Sequence, residues 1–271
     1  MDELRSRVAV VTGAAGGIGY ALCEAFAAEG MHVVLADVEA TTLAAAAERL
    51  AADSGAETLA VRTDVRSWDE TADLEARALE RFGGVHVLCN NAGVQMPGKT
   101  WEFTREEWEW LLGVNLGGVV HGIRAFVPGM IARAEPGHVV NTASVGGLLA
   151  FPATAMYTAS KFAVVGLSEA LAHDLRTEDA AIGVSVLCPG PTVSSLRERS
   201  AELRPGGAHG REVPLVTHVE RMPAAEVAAM VVAAIRGGRF WILTHPGYAP
   251  AIRRRTEGIL ATGEVVAPPL L

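Results

Sequence analysis

Seven apolar runs of strand length, separated by stretches of helical pattern, constrain this chain more than anything else in it. They are VAVVT at 8–12, HVVLAD at 32–37, TLAVR at 58–62, VHVLCN at 85–90, HVVNT at 138–142, GVSVLC at 183–188 and FWILT at 240–244. Val, Leu and Ile follow one another without polar alternation, the pattern of strands buried on both faces in a helix-covered parallel sheet. Helical patterns fill the gaps, near 17–29, 39–52, 67–81, 104–133, 154–177 and 224–236. The alternation predicts an α/β fold: a doubly wound parallel sheet of seven strands flanked by helices on both faces.

No linker composition divides the chain, so residues 1–271 are read as one dinucleotide-binding and catalytic domain. The segment 190–222, with Gly206, Gly207 and Gly210 near its middle, is read as an irregular loop acting as a lid over a site. Residues 245–271 form a tail whose end, VVAPPLL, is expected to be extended. The last predicted helix is punctuated by Pro223, suited to a first-turn position, and Gly237, suited to the left-handed residue after the final turn.

Charge and composition exclude several classes. With 31 acidic against 23 basic residues the formal net charge is −8, which offers nucleic acid no footprint; the Arg253–Arg255 run reads as a solvated helix face. No uninterrupted apolar segment reaches the roughly 18 residues of a membrane span, and the N-terminus has no signal-peptide pattern. Cys23, Cys89 and Cys188 are too scattered for a disulfide framework and read as reduced thiols, and no histidine pattern suggests a metal site. A soluble, cytoplasmic protein is expected.

The first strand runs into TGAAGGIG at 12–19, where Gly13, Gly17, Ile18 and Gly19 open a helix. Backbone N–H groups and the helix dipole at such a turn can receive a pyrophosphate, although a tight strand-to-helix turn alone has the same look. Asp37 ends the second strand 18 residues beyond Gly19, the place of the carboxylate that binds adenosine ribose hydroxyls in a Rossmann-type fold. It would repel a 2′-phosphate, and neighbouring Ala15 and Val38 bring no cation to offset it. NAD(H) is therefore expected over NADP(H).

Tyr157 and Lys161, in YTASK, share a helix face, so the ammonium can favour the ionised phenol. An amphipathic helix face is the plain alternative for that spacing. Taken together, the glycine motif, DV at 64–65, NNAG at 90–93, Asn115 in VNLGG, Ser144, the Tyr157/Lys161 pair and PG at 189–190 resemble, in order and spacing, the short-chain dehydrogenase/reductase family. The resemblance covers essentially the whole chain. It implies a catalytic tetrad in which Tyr157 is general acid/base, Lys161 tunes it and binds the nicotinamide ribose, Ser144 holds the carbonyl oxygen, and Asn115 fixes a water linking Lys161 to solvent. It further implies that Asp64 and Val65 contact adenine, that Asn91, Ala92 and Gly93 line the adenosine side, and that Pro189, Gly190, Thr192 and Ser194 serve the nicotinamide. The family usually has Val and Thr where this chain has Thr192 and Ser194.

Hydride transfer to a ketone builds negative charge on oxygen, so the site needs a proton donor and a second hydrogen bond, the parts given to Tyr157 and Ser144. Residues 94–101, 145–156 and 190–222 are expected to line the substrate pocket, with Gln95, Met96, Val145, Leu148, Phe151 and Met156 as its wall. The apolar wall predicts a hydrophobic, aromatic or cyclic secondary alcohol or ketone; core packing is the alternative for each side chain. A reductase of 3-oxoacyl thioesters and a catalytically silent dinucleotide sensor are the competing functions. Resemblance also implies a homotetramer or homodimer, with Trp108, Trp110 and Phe126 as contact or core residues and the tail as a candidate contributor to a neighbour's pocket.

Overall fold

The computed structural model describes residues 1, 3–206, 220–263 and 265. Gly207, Gly210, most of VVAPPLL and the later part of the lid fall outside them. Strands β1 (Val8–Thr12), β2 (His32–Asp37), β3 (Thr58–Arg62), β4 (Val87–Asn90), β5 (Gly137–Thr142), β6 (Ile182–Cys188) and β7 (Trp241–Leu243) form one parallel sheet in the order β3-β2-β1-β4-β5-β6-β7. Every residue of β1, β4 and β5 is buried, the two-sided coverage that their unbroken apolar sequences anticipate.

One face carries α1 (Gly17–Ala28), α2 (Ala40–Ser54) and α8 (Ala224–Arg236), which bury Leu22, Phe26, Leu43 and Ile235 against Val11, Val33 and Leu187. The other carries α3 (Trp68–Phe82), α5 (Gly118–Arg133) and α6 (Ala155–Thr177), which pack Leu74, Phe126 and Leu175 on Val10, Val34 and Val139. A side chain of this size contributes about 1.5–3 kcal/mol when fully buried, so these two layers are the main source of stability. Trp110 and Phe126 are core residues, while Trp108 is half-buried. The sheet reverses its winding between β1 and β4, and ligands of such sheets bind outside the carboxyl ends of the strands at that point.

Four details differ from the sequence-based expectation. Pro223 caps α8 from outside its first turn, and the left-handed residue beyond the helix is Gly238, with φ +61°, rather than Gly237. The segment 190–222 is not wholly irregular: α7 (Leu196–Leu203) lies within it. The tail folds into α9 (Ala249–Glu257), followed by a π turn, Gly258–Thr262. The helix expected over 104–133 is α4 (Arg105–Leu112) and α5 joined by a second π turn, Gly113–Gly117. The continuous run Arg105–Arg133 is long and apolar enough to cross a membrane, and 44% of its apolar window is buried inside the protein, as befits a helix of a sheet-covering layer.

Candidate active site

Thr12 organises the cofactor end. Its hydroxyl receives the backbone N–H groups of Asn91 and Ala92, at 2.9 and 3.0 Å, and the Asn91 side-chain amide donates to the Thr12 carbonyl at 3.0 Å. The NNAG segment is thereby laid against the glycine turn. A Cβ on Gly13, whose φ is +66°, would stand 2.8 Å from the Ala92 Cα, and one on Gly19 would stand 2.0 Å from the Gly13 carbonyl oxygen. Those glycines let two backbones approach within contact, and the approach leaves the α1 N-terminus open: no side chain among the described residues caps it.

Asp37, 8% exposed, accepts backbone N–H bonds from Ala15 at 3.0 Å and Glu39 at 3.2 Å, which fix its carboxylate beside that open end. Uncapped amides flanked by an anchored carboxylate are a donor and acceptor set that fits the adenosine half of a nicotinamide dinucleotide. Ile18 packs half-buried behind the turn, and Ser194 covers it, 3.3 Å from where a Gly17 Cβ would be. Ser194 thus lies at the phosphate turn. Thr192 turns its hydroxyl onto the Gly190 carbonyl at 3.1 Å. The Pro189 carbonyl accepts the Val145 N–H at 2.9 Å, and the Gly190 N–H meets Thr244 and His245. At the adenine side, Val65 is buried, and the Asp64 carboxylate is held by Arg66 at 2.6 Å; burial raises its pKa, but the Arg66 bonds win and hold it below its ordinary value.

Ser144, Tyr157 and Lys161 converge beyond β5. The Ser144 hydroxyl accepts the Gly146 N–H at 3.0 Å and lies within hydrogen-bond reach of the Tyr157 phenol. The Lys161 ammonium, 3% exposed, donates to the Thr142 carbonyl at 2.9 Å and sits 5.7 Å from the Tyr157 ring centre. Burial pulls Lys161 down to about 8. Burial also pushes the Tyr157 phenol above its ordinary value, and the Ser144 hydrogen bond offsets only part of this. The lowering expected from Lys161 does not arise: desolvation dominates the phenol, and the ammonium donates to the Thr142 carbonyl.

Asn115 is fully buried in the π turn, where its side chain accepts the Val94 N–H at 2.8 Å and donates to the Val94 carbonyl and Ser160 hydroxyl, both at 3.0 Å. That uses both of its N–H donors and leaves one lone pair of Oδ1. A Cβ on Gly93 would lie 3.5 Å from the Asn115 Oδ1 and 3.6 Å from the Lys161 Nζ, so only glycine leaves open space between them.

The wall residues separate into two groups. Met96 and Met156 are enclosed with Val94, Trp110 and Leu111, the packing alternative for those two positions, and Trp101 is 81% exposed. Val145 and Phe151 instead join Leu149, Tyr248, Ala251 and Ile252, while Leu148 packs against the cluster of Val119, Ala143 and Val164. The tail therefore folds over its own chain. The Gln95 N–H donates to the Ser200 hydroxyl at 2.9 Å, and Arg204 pairs with buried Glu107, so α7 is fastened to α4 and to the NNAG strand exit. Of these, Gln95 was singled out from sequence as a pocket residue; Ser200, Glu107, Tyr248 and His245 were not, because they become neighbours of the site only through tertiary folding.

Known proteins resemble this chain in sequence and fold. The family model described as short chain dehydrogenase matches residues 7–204. A dehydrogenase/reductase of CLA biosynthesis from Lactiplantibacillus plantarum is 33% identical, covering 97% of this chain and 96% of its own. The 1-deoxy-11-beta-hydroxypentalenate dehydrogenase of Streptomyces exfoliatus is 36% identical, covering 90% of this chain and 84% of its own. The crystal structure of a Burkholderia phymatum short chain dehydrogenase/reductase in complex with NAD superposes with a TM-score of 0.93 at 40% identity, over the full length of both chains.

Proposed function

This chain belongs to the short-chain dehydrogenase family, and from that premise we propose that it is an NAD(H)-dependent oxidoreductase interconverting a hydrophobic, cyclic or aromatic secondary alcohol and its ketone. One observation carries the reading: Lys161, a buried ammonium with no carboxylate partner among the described residues, lies one helical turn from a phenol that meets Ser144. Burying such a charge unpaired costs several kcal/mol, a cost that a purely structural role does not explain.

NAD(H) bound between Asp37 and the α1 N-terminus supplies hydride chemistry at its nicotinamide. The chain's own groups handle position and protons. Gly13, Gly17, Ile18 and Gly19 hold the pyrophosphate, Asp64, Val65, Asn91, Ala92 and Gly93 flank the adenosine, and Pro189, Gly190, Thr192 and Ser194 orient the remainder. Ser144 donates to the substrate oxygen while Tyr157 exchanges the proton with it. Lys161 stabilises the phenolate and grips the nicotinamide ribose. Asn115 shapes the π turn and fixes a water linking Lys161 to solvent.

Val145, Leu149, Phe151, Tyr248 and Ile252 support an apolar substrate, with Gln95 as the polar selector. A homotetramer or homodimer is supported by exposed Trp241 and Leu243 on edge strand β7, and a cytosolic setting by the three buried free thiols.

The test follows nicotinamide absorbance with NAD and NADP separately against cyclic, aromatic and steroidal alcohols and 3-oxoacyl thioesters. Turnover of an alcohol with NAD is the expected result. Thioester turnover with NADPH alone would select the reductase alternative, and binding without turnover the sensor. For cofactor choice, Asp37→Ala is expected to cut the preference for NAD over NADP by roughly tenfold or more, from the loss of charge-assisted bonds to ribose and of repulsion to a 2′-phosphate. An unchanged preference in steady-state kinetics would refute the role given to Asp37.

A further inference from the structure

The lid helix brings a cation to the wrong end of α1. The Arg199 Nη1 lies 3.7 Å from where a Gly16 Cβ would be, and 3.9 Å from the Asp37 Oδ2. Gly16 is the N-cap of α1, whose amides already make that point positive, so a guanidinium there is repelled by the dipole. Asp37 attracts it but does not bind it: 3.9 Å exceeds hydrogen-bond length, and both carboxylate oxygens already accept backbone N–H groups. The one hydrogen bond that the Arg199 side chain makes among the described residues, to the Thr42 hydroxyl at 3.2 Å, is between exposed groups and weak.

What holds Arg199 in place is its helix. Neighbouring Ser200 is fastened to the Gln95 N–H at 2.9 Å, and Arg204, one turn on, to the buried Glu107 carboxylate. The backbone amides of Gly17, Ile18 and Gly19 have no partner among the described residues. Unpaired amides and an underused guanidinium thus converge on one point, and what they lack in common is an anion.

We propose that Arg199 is a lid-borne ligand for the pyrophosphate of the dinucleotide, completing from α7 the anion site that the α1 N-terminus begins. The inference rests on the dinucleotide site described above. It has a mechanical consequence: α7 touches both the phosphate turn and, through Ser200, the segment carrying Gln95, so cofactor occupancy stabilises α7 in its observed position. It also revises the electrostatics read from sequence, where no cation stood near Asp37. Folding supplies one from a distant segment.

The test is equilibrium binding rather than turnover. ADP-ribose, which carries the pyrophosphate, and adenosine, which does not, are titrated calorimetrically into the wild type, Arg199→Ala and Arg199→Lys, alongside NADH and NADPH. Arg199→Ala is expected to weaken ADP-ribose and NADH roughly tenfold to a hundredfold, the effect of one charge-assisted hydrogen bond pair, with adenosine unchanged and Arg199→Lys intermediate. Hydrogen exchange supplies a second readout: ADP-ribose should slow exchange across 196–204 in the wild type and not in Arg199→Ala. Unchanged or tighter ADP-ribose binding in Arg199→Ala overturns the proposal, and so does an equal loss for adenosine, which would mean general distortion. The cofactor reading fails separately, if the wild type holds NADPH in preference to NADH; the ADP-ribose comparison still judges Arg199. A wild type that binds no dinucleotide and no ADP-ribose overturns both.

Discussion

Tyr157→Phe is expected to lower kcat by about 10³ or more while leaving NADH affinity within about twofold. The substitution removes one oxygen and nothing else. Val145, Gly146 and Ser144 remain as placed, and Ser144 keeps its hydrogen bond from the Gly146 N–H. What disappears is the titratable hydroxyl that meets Ser144, and a lost proton-transfer group costs about 10²–10⁴ in rate, with the lost oxygen hydrogen bond added to it. Stopped-flow kinetics and NADH fluorescence separate the two effects. A variant retaining a near-normal rate would show that another group carries the proton. Because burial raises the phenol's pKa, alcohol oxidation by the wild type should quicken as pH rises, since the phenolate is the base in that direction.

Lys161→Met is expected to lose turnover by a similar order while gaining stability at pH 7. Burial takes the ammonium down to about 8, against an unfolded value near about 10.4, so the charged form destabilises the fold by roughly 2–4 kcal/mol below pH 8. The sign follows from proton counts. Between these two values the unfolded chain binds the proton and the native one does not, so this residue's contribution to stability rises with pH and the penalty disappears above about 10.4. Methionine removes the penalty and also the bond to the Thr142 carbonyl, whose loss costs about 1 kcal/mol at every pH. The difference in melting temperature between variant and wild type should therefore shrink from pH 7 to pH 10. A difference independent of pH would mean that Lys161 is not buried as an uncompensated charge, and the argument from its cost would go with it.

The sheet was legible because both of its faces are covered. Strands β1, β2 and β3 have apolar middles with polar residues confined to their ends, and those ends fall where the apolar runs stop. Blurring begins where a residue serves another purpose. His86 was read as strand but sits just before β4, where its Nδ1 accepts the Val8 N–H at 3.1 Å. The grouping of Ser144, Tyr157 and Lys161 was legible because each lies near an element end whose position the sheet dictates. Helix α7 was not, since LRERSAEL has little apolar content and its reasons for ordering, Glu107 and Gln95, come from segments a hundred residues earlier. The same distance hid Arg199 from Asp37. Desolvation of Tyr157 and Lys161 was invisible in principle: spacing shows that two groups share a helix face, not how much water that face retains.

The π turn at Gly113–Gly117 does more than bend a helix. An extra residue in one turn advances the helix by about 100° relative to an unbroken α-helix, a phase slip between its two halves. Ahead of the slip, α4 directs Trp110 and Leu111 at Met96 and Met156; behind it, α5 directs Phe126 and Met130 at the sheet. A straight helix with this sequence could satisfy one of those surfaces but not both. Asn115, fully buried at the dislocation, ties it to Val94 and Ser160. The polar residue that resemblance assigns to proton relay thus also synchronises two packing surfaces, so its replacement disturbs both chemistry and shape.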